Sequence, residues 1–262
     1  MSKSALGRPA RTINMVQLGR ALTEVNDPPV KALMVHNSNP AAVCPEHNLV
    51  TRGMMRNDLF TVVHEQFLTD TTDYADIVLP ATTFFEQKDL VQAYGHYYLQ
   101  VSHQAIEPLG ECKSNVEYFR ELALRMGFED ECFHDSVDDL IDIALSSGVP
   151  QLNGITRERL EHDPNVRLNL NGDGNGSPWL PFANGFATAN GKARIYNKDL
   201  IAEGMDPVAT FVAPEESRHH ADAAKYPLEL LARKADNFLN STFVNLPSHQ
   251  KMEPPDRTRS RG

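Results

Sequence analysis

Near the start of the chain Met15, Leu18, Leu22 and Val25 recur at helical spacing, and the proline-bearing run Asn26-Asp27-Pro28-Pro29 stops that helix. Residues 31–35 follow as a short apolar strand. Residues 48–55 suit a second helix, and residues 59–63 then form an uninterrupted apolar run with polar ends, the pattern of a strand buried on both faces. Ile77-Val78-Leu79, stopped by Pro80, is a third such run. Short apolar strands separated by helical segments predict an α/β fold with a parallel sheet covered on both sides, so that the polar residues behind each strand gather at its carboxyl edge. Further on, residues 94–101 are rich in aromatic and branched side chains. Val116, Phe119, Leu122, Ala123 and Met126 mark one face of a helix over residues 115–126, ended by Gly127. Val137–Leu145 is another helix, with Ser136 as its cap and Gly148-Val149-Pro150 as its stop. The first domain, residues 1–150, is expected to close there.

The pattern then changes. Asn, Gly and Pro cluster through LNLNGDGNGSPWLPFANGFATANGKARIYN, so residues 151–225 read as a connector of loops and short hairpins. YPLELLAR is strand-like and leads into the polar run KADNFLNSTF, which makes residues 226–250 the opening of a further, incomplete domain. Residues 251–262 end in the basic PPDRTRSRG and read as a disordered tail. No internal repeat breaks this layout.

Composition narrows the function. With 262 residues and 41% hydrophobic content the chain can bury a sizeable core, and its net charge of −10 argues against a nucleic-acid surface. No apolar run approaches the roughly 20 residues that span a bilayer, and the opening MSKSALGRPARTINM lacks the apolar centre of a secretory signal. A cytoplasmic protein without membrane insertion is the expectation. Cys44, Cys112 and Cys132 form no C-x-x-C pair for zinc or an iron–sulfur cluster and read as buried free thiols, while His219-His220 sits in a charged, exposed segment. No metal ligand is assigned.

The edge predicted from the strands carries the candidate chemistry. Asn37, Ser38 and Asn39 offer short polar side chains able to hydrogen-bond a sugar or a base edge without adding charge, and Pro40 fixes their turn. The competing reading is a turn that satisfies only its own backbone. Glu65 can accept two N–H bonds at once, matching a guanine edge or a ribose diol. Thr69, Asp70, Thr71, Thr72, Asp73 and Asp76 crowd into one short stretch, where helix capping competes equally with ligand binding. Neither G-x-G-x-x-G nor G-x-x-x-x-G-K-[ST] occurs, nor a G-x-S-x-G elbow, and Glu86 with Asp89 reads as a solvated helix end rather than a carboxylate pair.

Taken together, NSNP, HEQFLTDTTDYADIVLPATTFFE, IEPLGECKSNVEYFRELALRMG and ATANGKARIY resemble one family almost continuously over residues 12–250. It is the catalytic subunit of molybdopterin oxidoreductases of the dimethyl sulfoxide reductase, formate dehydrogenase and nitrate reductase type. The most specific element is T-x-T-x-x-A-D-x-V-L-P, here Thr69 or Thr72 through Tyr74-Ala75-Asp76-Ile77-Val78-Leu79-Pro80 with Glu86 trailing. The resemblance implies a Rossmann-like domain gripping the guanosine end of one molybdopterin guanine dinucleotide of a molybdenum or tungsten cofactor (Mo-bis-MGD). It also implies a truncated β-barrel start. Cofactor contacts would come from Asn37, Ser38 and Asn39, from His64 and Glu65, from the segment holding Thr69 and Asp76, and from Gln87 and Asn115, where relatives carry Lys and Asp. In ARKADNFLNSTF, Arg233, Asn240 and Ser241 fall where the family's last domain touches the cofactor.

The family's [4Fe-4S] cluster and its metal-binding Ser, Cys or selenocysteine belong to regions outside these residues, so the resemblance implies a fragment with no catalytic residue of its own. Its partners would be the cofactor, the amino-terminal domains of the enzyme and an electron-transfer subunit. A stand-alone nucleotide-binding or cofactor-binding module without catalysis is the rival from another class. An NAD-dependent dehydrogenase is disfavoured by the missing glycine fingerprint.

Overall fold

The computed structural model describes residues 10–170, 180, 182–214, 217–229, 236–237 and 239–252. The chain divides into two compact units, Met1–Asn169 with Lys234–Gly262, and Leu170–Arg233.

In the first unit, β1 (Ala32–His36), β2 (Phe60–Glu65) and β3 (Ile77–Pro80) form a parallel sheet in the order β1-β2-β3. Its register sets Ala32 opposite Phe60, His36 opposite His64 and Glu65 opposite Pro80. Two helices, α2 (Pro40–Val43) and α3 (His47–Met54), carry the chain from β1 to β2. β2 outruns its apolar stretch: the polar His64 and Glu65 stay in the ladder because β3 pairs with both.

Side chains alternate across a strand, so each face takes its own helices. On the face bearing Leu33, α1 (Leu18–Thr23) crosses α3 over a core of Leu22, Ala41, Val50, Met54 and Leu59. The crossing is tight at two glycines. A Cβ on Gly19 would lie 2.7 Å from the Leu49 Cβ, and one on Gly53 would lie 2.5 Å from the Leu22 Cβ. Neither position has room for a methyl group.

On the opposite face lies α4 (Asn115–Arg125), which starts at a reciprocal capping box: the Ser114 hydroxyl accepts from the Glu117 amide, and the Glu117 carboxylate accepts from the Ser114 amide. The residues just before it extend the sheet. Ala81 and Lys113 form a parallel bridge, with the Lys113 amide donating to the Pro80 carbonyl (3.1 Å) and the Thr82 amide donating to the Lys113 carbonyl (3.2 Å). The helix therefore begins at the carboxyl edge of the strands.

A second, antiparallel sheet was not foreseen. Its order is β4-β5-β6, made of β4 (Asp89–Gln92), β5 (Tyr98–Ser102) and β6 (Val166–Arg167). Leu99 and Val166 share a core with Ile141 and Leu145 of α5 (Val137–Leu145), with Ile155, and with Leu160 of α6 (Arg157–His162). Lys88 clamps this layer by pairing with Asp138 of α5 (2.6 Å) and Glu161 of α6 (2.7 Å). Packing thus crosses residue 150, and the first unit runs on to Asn169, because β6 supplies an edge partner for β5.

The described part of the second unit contains α7 (Asp199–Ala202), a 3-10 turn at Ala221–Ala224 and no strand, as suits a loop-rich segment. The expected barrel opening over residues 226–250 shows no strand among the described residues. In its place an isolated bridge joins Leu239 to Thr242, with Asn240 left-handed at φ 54°, and the helix α8 (Pro247–Met252) follows. Residues 230–233 of the strand-like run lie outside the described residues. Of the proposed tail, Lys251 and Met252 close α8, and residues 253–262 lie outside the description. No helix among the described residues is long and apolar enough to cross a membrane.

Candidate functional site

The register settles how the polar stretches meet. His36 ends β1 opposite His64, so Asn37 leaves the sheet level with Glu65, and the loop after β3 emerges beside both. One rim carries all three exits.

Within HNSNP the three polar residues divide. Asn37 is exposed in a left-handed turn (φ 51°), a conformation Asn tolerates through its short polar side chain. Asn37 and Ser38 form no side-chain hydrogen bond among the described residues and face solvent. Asn39 is 6% exposed and engaged at both ends of its amide. Its Oδ1 accepts from the Thr71 amide (3.2 Å) and hydroxyl (2.6 Å), its Nδ2 donates to Asp70 (3.1 Å), and Thr71 Oγ1 accepts in turn from the Ala41 amide (3.1 Å). Asn39 is a bolt between two rim loops.

Glu65 is half-buried. One carboxylate oxygen accepts from the Gln66 amide (2.7 Å), and the Gln66 side chain donates to the Thr82 carbonyl (2.9 Å), which ties the second loop to the third. The other oxygen is unpartnered among the described residues. His64, by contrast, is 1% exposed, stacked on Tyr118 with ring centroids 4.6 Å apart, and its Nε2 lies 3.1 Å from the Lys113 carbonyl. It sits inside the fold.

The crowded stretch behind β2 also splits. Thr69 stays near the rim: its carbonyl accepts from the Thr72 amide (2.9 Å) and hydroxyl (2.6 Å), and its own Oγ1 is buried without a partner. Asp76 leaves. It accepts from the Thr61 amide (2.7 Å) at the amino ends of the strands, about 13 Å from the rim along β3. Its place in the sequence motif is explained by this capping of β2, and it is not brought together with the other candidates.

Gln87 accepts from the Thr82 hydroxyl (2.7 Å), close behind the rim. Its neighbour Glu86 is 6% exposed and pairs with no other carboxylate; it accepts from the Thr83 and Leu109 amides (2.7 Å each), which hold its carboxyl below the ordinary range. A depressed folded value means that this stabilisation is present above the unfolded value of about 4.3 and is lost as pH falls through the folded one. Glu86→Gln is therefore expected to lower the urea midpoint at pH 6 and to differ progressively less from the parent below pH 4. A constant difference across that range would contradict the assignment.

Asn115 opens α4 at the rim, its Oδ1 buried without a partner, and with Phe119, Cys132, Phe133 and Leu140 it lines a cleft of about 250 Å³. Arg233 lies outside the described residues. Asn240 and Ser241 sit in the turn before α8, and no hydrogen bond joins them to the rim among the described residues. The thiols are less buried than expected: Cys44 and Cys112 are half-buried and Cys132 is exposed, with burial pushing the Cys44 thiol up. No group of three or more His, Cys, Asp or Glu among the described residues is placed to hold a metal. The sequence reading missed Gln66, Thr82, Lys113 and Tyr118, which shape the rim through backbone groups and stacking; only the S-x-x-E box at Ser114 gave a local sign of where α4 begins.

Comparison with known proteins completes the picture. Residues 9–125 match the profile of the molybdopterin oxidoreductase family. The Probable oxidoreductase YoaE of Bacillus subtilis is 40% identical over 248 residues, covering 94% of this chain and 34% of that protein. The Probable oxidoreductase YyaE of the same organism is 30% identical over 250 residues, 93% of this chain and 36% of that one. Acetylene hydratase from Pelobacter acetylenicus superposes with a TM-score of 0.71 at 26% identity, over 94% of this chain and 33% of its own. The chain spans about a third of the length of each of these relatives. The profile match, which runs to the last residue of α4, together with 40% identity to YoaE over 94% of this chain, places the chain in the molybdopterin oxidoreductase family.

Proposed function

We propose that the rim seats the guanosine end of a molybdopterin guanine dinucleotide, one tail of a Mo-bis-MGD cofactor. The observation that carries this reading is the register that sets Asn37 level with Glu65 while leaving the side chains of Asn37 and Ser38 and one Glu65 oxygen uncommitted. The donor set suits a guanosine. Guanine presents two N–H donors on one edge; the free Glu65 oxygen can accept one, and the oxygen bonded to the Gln66 amide keeps a second lone pair for the other, while a ribose diol suits the amide and hydroxyl of Asn37 and Ser38. The buried, unpartnered Oδ1 of Asn115 is an acceptor waiting for a donor at the same edge.

When bound, the cofactor supplies two-electron chemistry, oxygen-atom transfer or dehydrogenation, that no side chain performs. The residues of this chain bind and orient its tail, and none is assigned a catalytic role. Further domains and an electron-transfer subunit would complete the activity, in keeping with the share of its relatives that the chain spans.

Calorimetric titration with GDP tests the seat. GDP is expected to bind in preference to ADP, and Glu65→Ala to weaken it about 10- to 100-fold, as the loss of a hydrogen bond to a charged group implies. Equal affinity for GDP and ADP, or an unchanged Glu65→Ala variant, would remove the assignment.

A further inference from the structure

His36 and His64 are register partners on adjacent parallel strands, so their rings stand on the same face of the sheet, and both meet α4. His36 lies edge-on to Phe119 (centroids 5.2 Å apart), and His64 stacks on Tyr118 with an interplanar angle of 23°. A carbonyl only accepts, so the 3.1 Å contact from His64 Nε2 to the Lys113 carbonyl puts the proton on Nε2. Nδ1 is then a bare lone pair, and it is buried without a partner.

That orphan is informative. A phenylalanine would fill the same space and stack on Tyr118 without burying an unpaired acceptor. What it would lack is the donor to Lys113. The Lys113 carbonyl also accepts from the Thr82 amide, so it is held from both sides, by the central strand and by the loop leaving β3. Asn115 follows two residues later.

We propose that His64 is a positioning residue that fixes Asn115 at the rim, holding the Lys113 carbonyl with Nε2–H and the Tyr118 ring with its face, and that it does not touch the nucleotide. The ligand arm of the test rests on the seat described above; the other arms do not. Nitrogen NMR of the imidazole in the full chain at neutral pH is expected to show Nε2 protonated and Nδ1 bare. His64→Phe, which keeps the stack and loses the donor, is expected to speed hydrogen exchange of the Thr82 amide and to weaken GDP binding roughly tenfold. His64→Gln, whose side-chain amide can donate to the same carbonyl, is expected to restore both. A proton on Nδ1, or a His64→Phe chain that binds GDP and protects Thr82 as the parent does, overturns the proposal. If the parent chain binds no GDP, the seat fails, and the tautomer and Thr82 exchange still decide the role of His64.

Discussion

Leu22→Ala is expected to lower the unfolding free energy by about 2–5 kcal/mol, a large share of the roughly 5–15 kcal/mol that holds an ordinary domain. Leu22 is 2% exposed and fills the space between α1 and α3 directly against Gly53. Truncation removes its transfer free energy and leaves a void. The void cannot close, because the two helices already touch through backbone and Cβ at Gly19 and Gly53 and have no nearer approach available. Urea unfolding followed by circular dichroism measures the loss, with the slope against denaturant unchanged. Met15→Ala is the control: Met15 is 79% exposed, and its removal should stay within about 0.5 kcal/mol. A Leu22→Ala loss no larger than the control would show that α1 does not pack as described.

Asn39→Ala is expected to cost about 1–3 kcal/mol, because it leaves the Thr71 amide and hydroxyl buried without their acceptor. Thr71 is fully buried and passes the bond on to the Ala41 amide, so the damage reaches two loops at once. Hydrogen exchange at the Thr71 and Ala41 amides should rise together with the fall in melting temperature. The same experiment separates two roles for Asn39. A bolt loses stability when cut, whereas a direct nucleotide contact would lose affinity with stability intact, and that second outcome would reverse the assignment made from its hydrogen bonds.

These two residues also show what could be read in advance. The parallel layer was legible because residues 59–63 and 77–79 are continuous apolar runs, the pattern of a parallel sheet, although the cover expected on both faces is incomplete at β3, where Ile77 and Val78 are 43% and 39% exposed. Which side chain of Asn37-Ser38-Asn39 turns inward was not legible, since the deciding partner, Thr71, lies 32 residues beyond Asn39 in the chain. Asp76 misled for the opposite reason. It is close in sequence to Thr69 and Thr72, but β3 begins just after it, and strand direction carries it to the far end of the sheet. The second sheet left a weak trace because β4 begins with an aspartate and β6 is two residues long. His64 read as a surface ligand because a histidine after an apolar run gives no sign of the aromatic ring that will cover it from a helix 54 residues later.

The glycine crossing of α1 and α3 has a remote effect on what the rim can tolerate. α3 hands the chain to β2 through a short turn, so the separation of the two helices sets where the central strand enters the sheet and thereby the height of Glu65 against Asn37. Any side chain larger than a hydrogen at Gly19 or Gly53 would act as a wedge, and its first symptom would be a rim out of true, with Glu65 and Asn37 displaced from one another while neither residue has been changed.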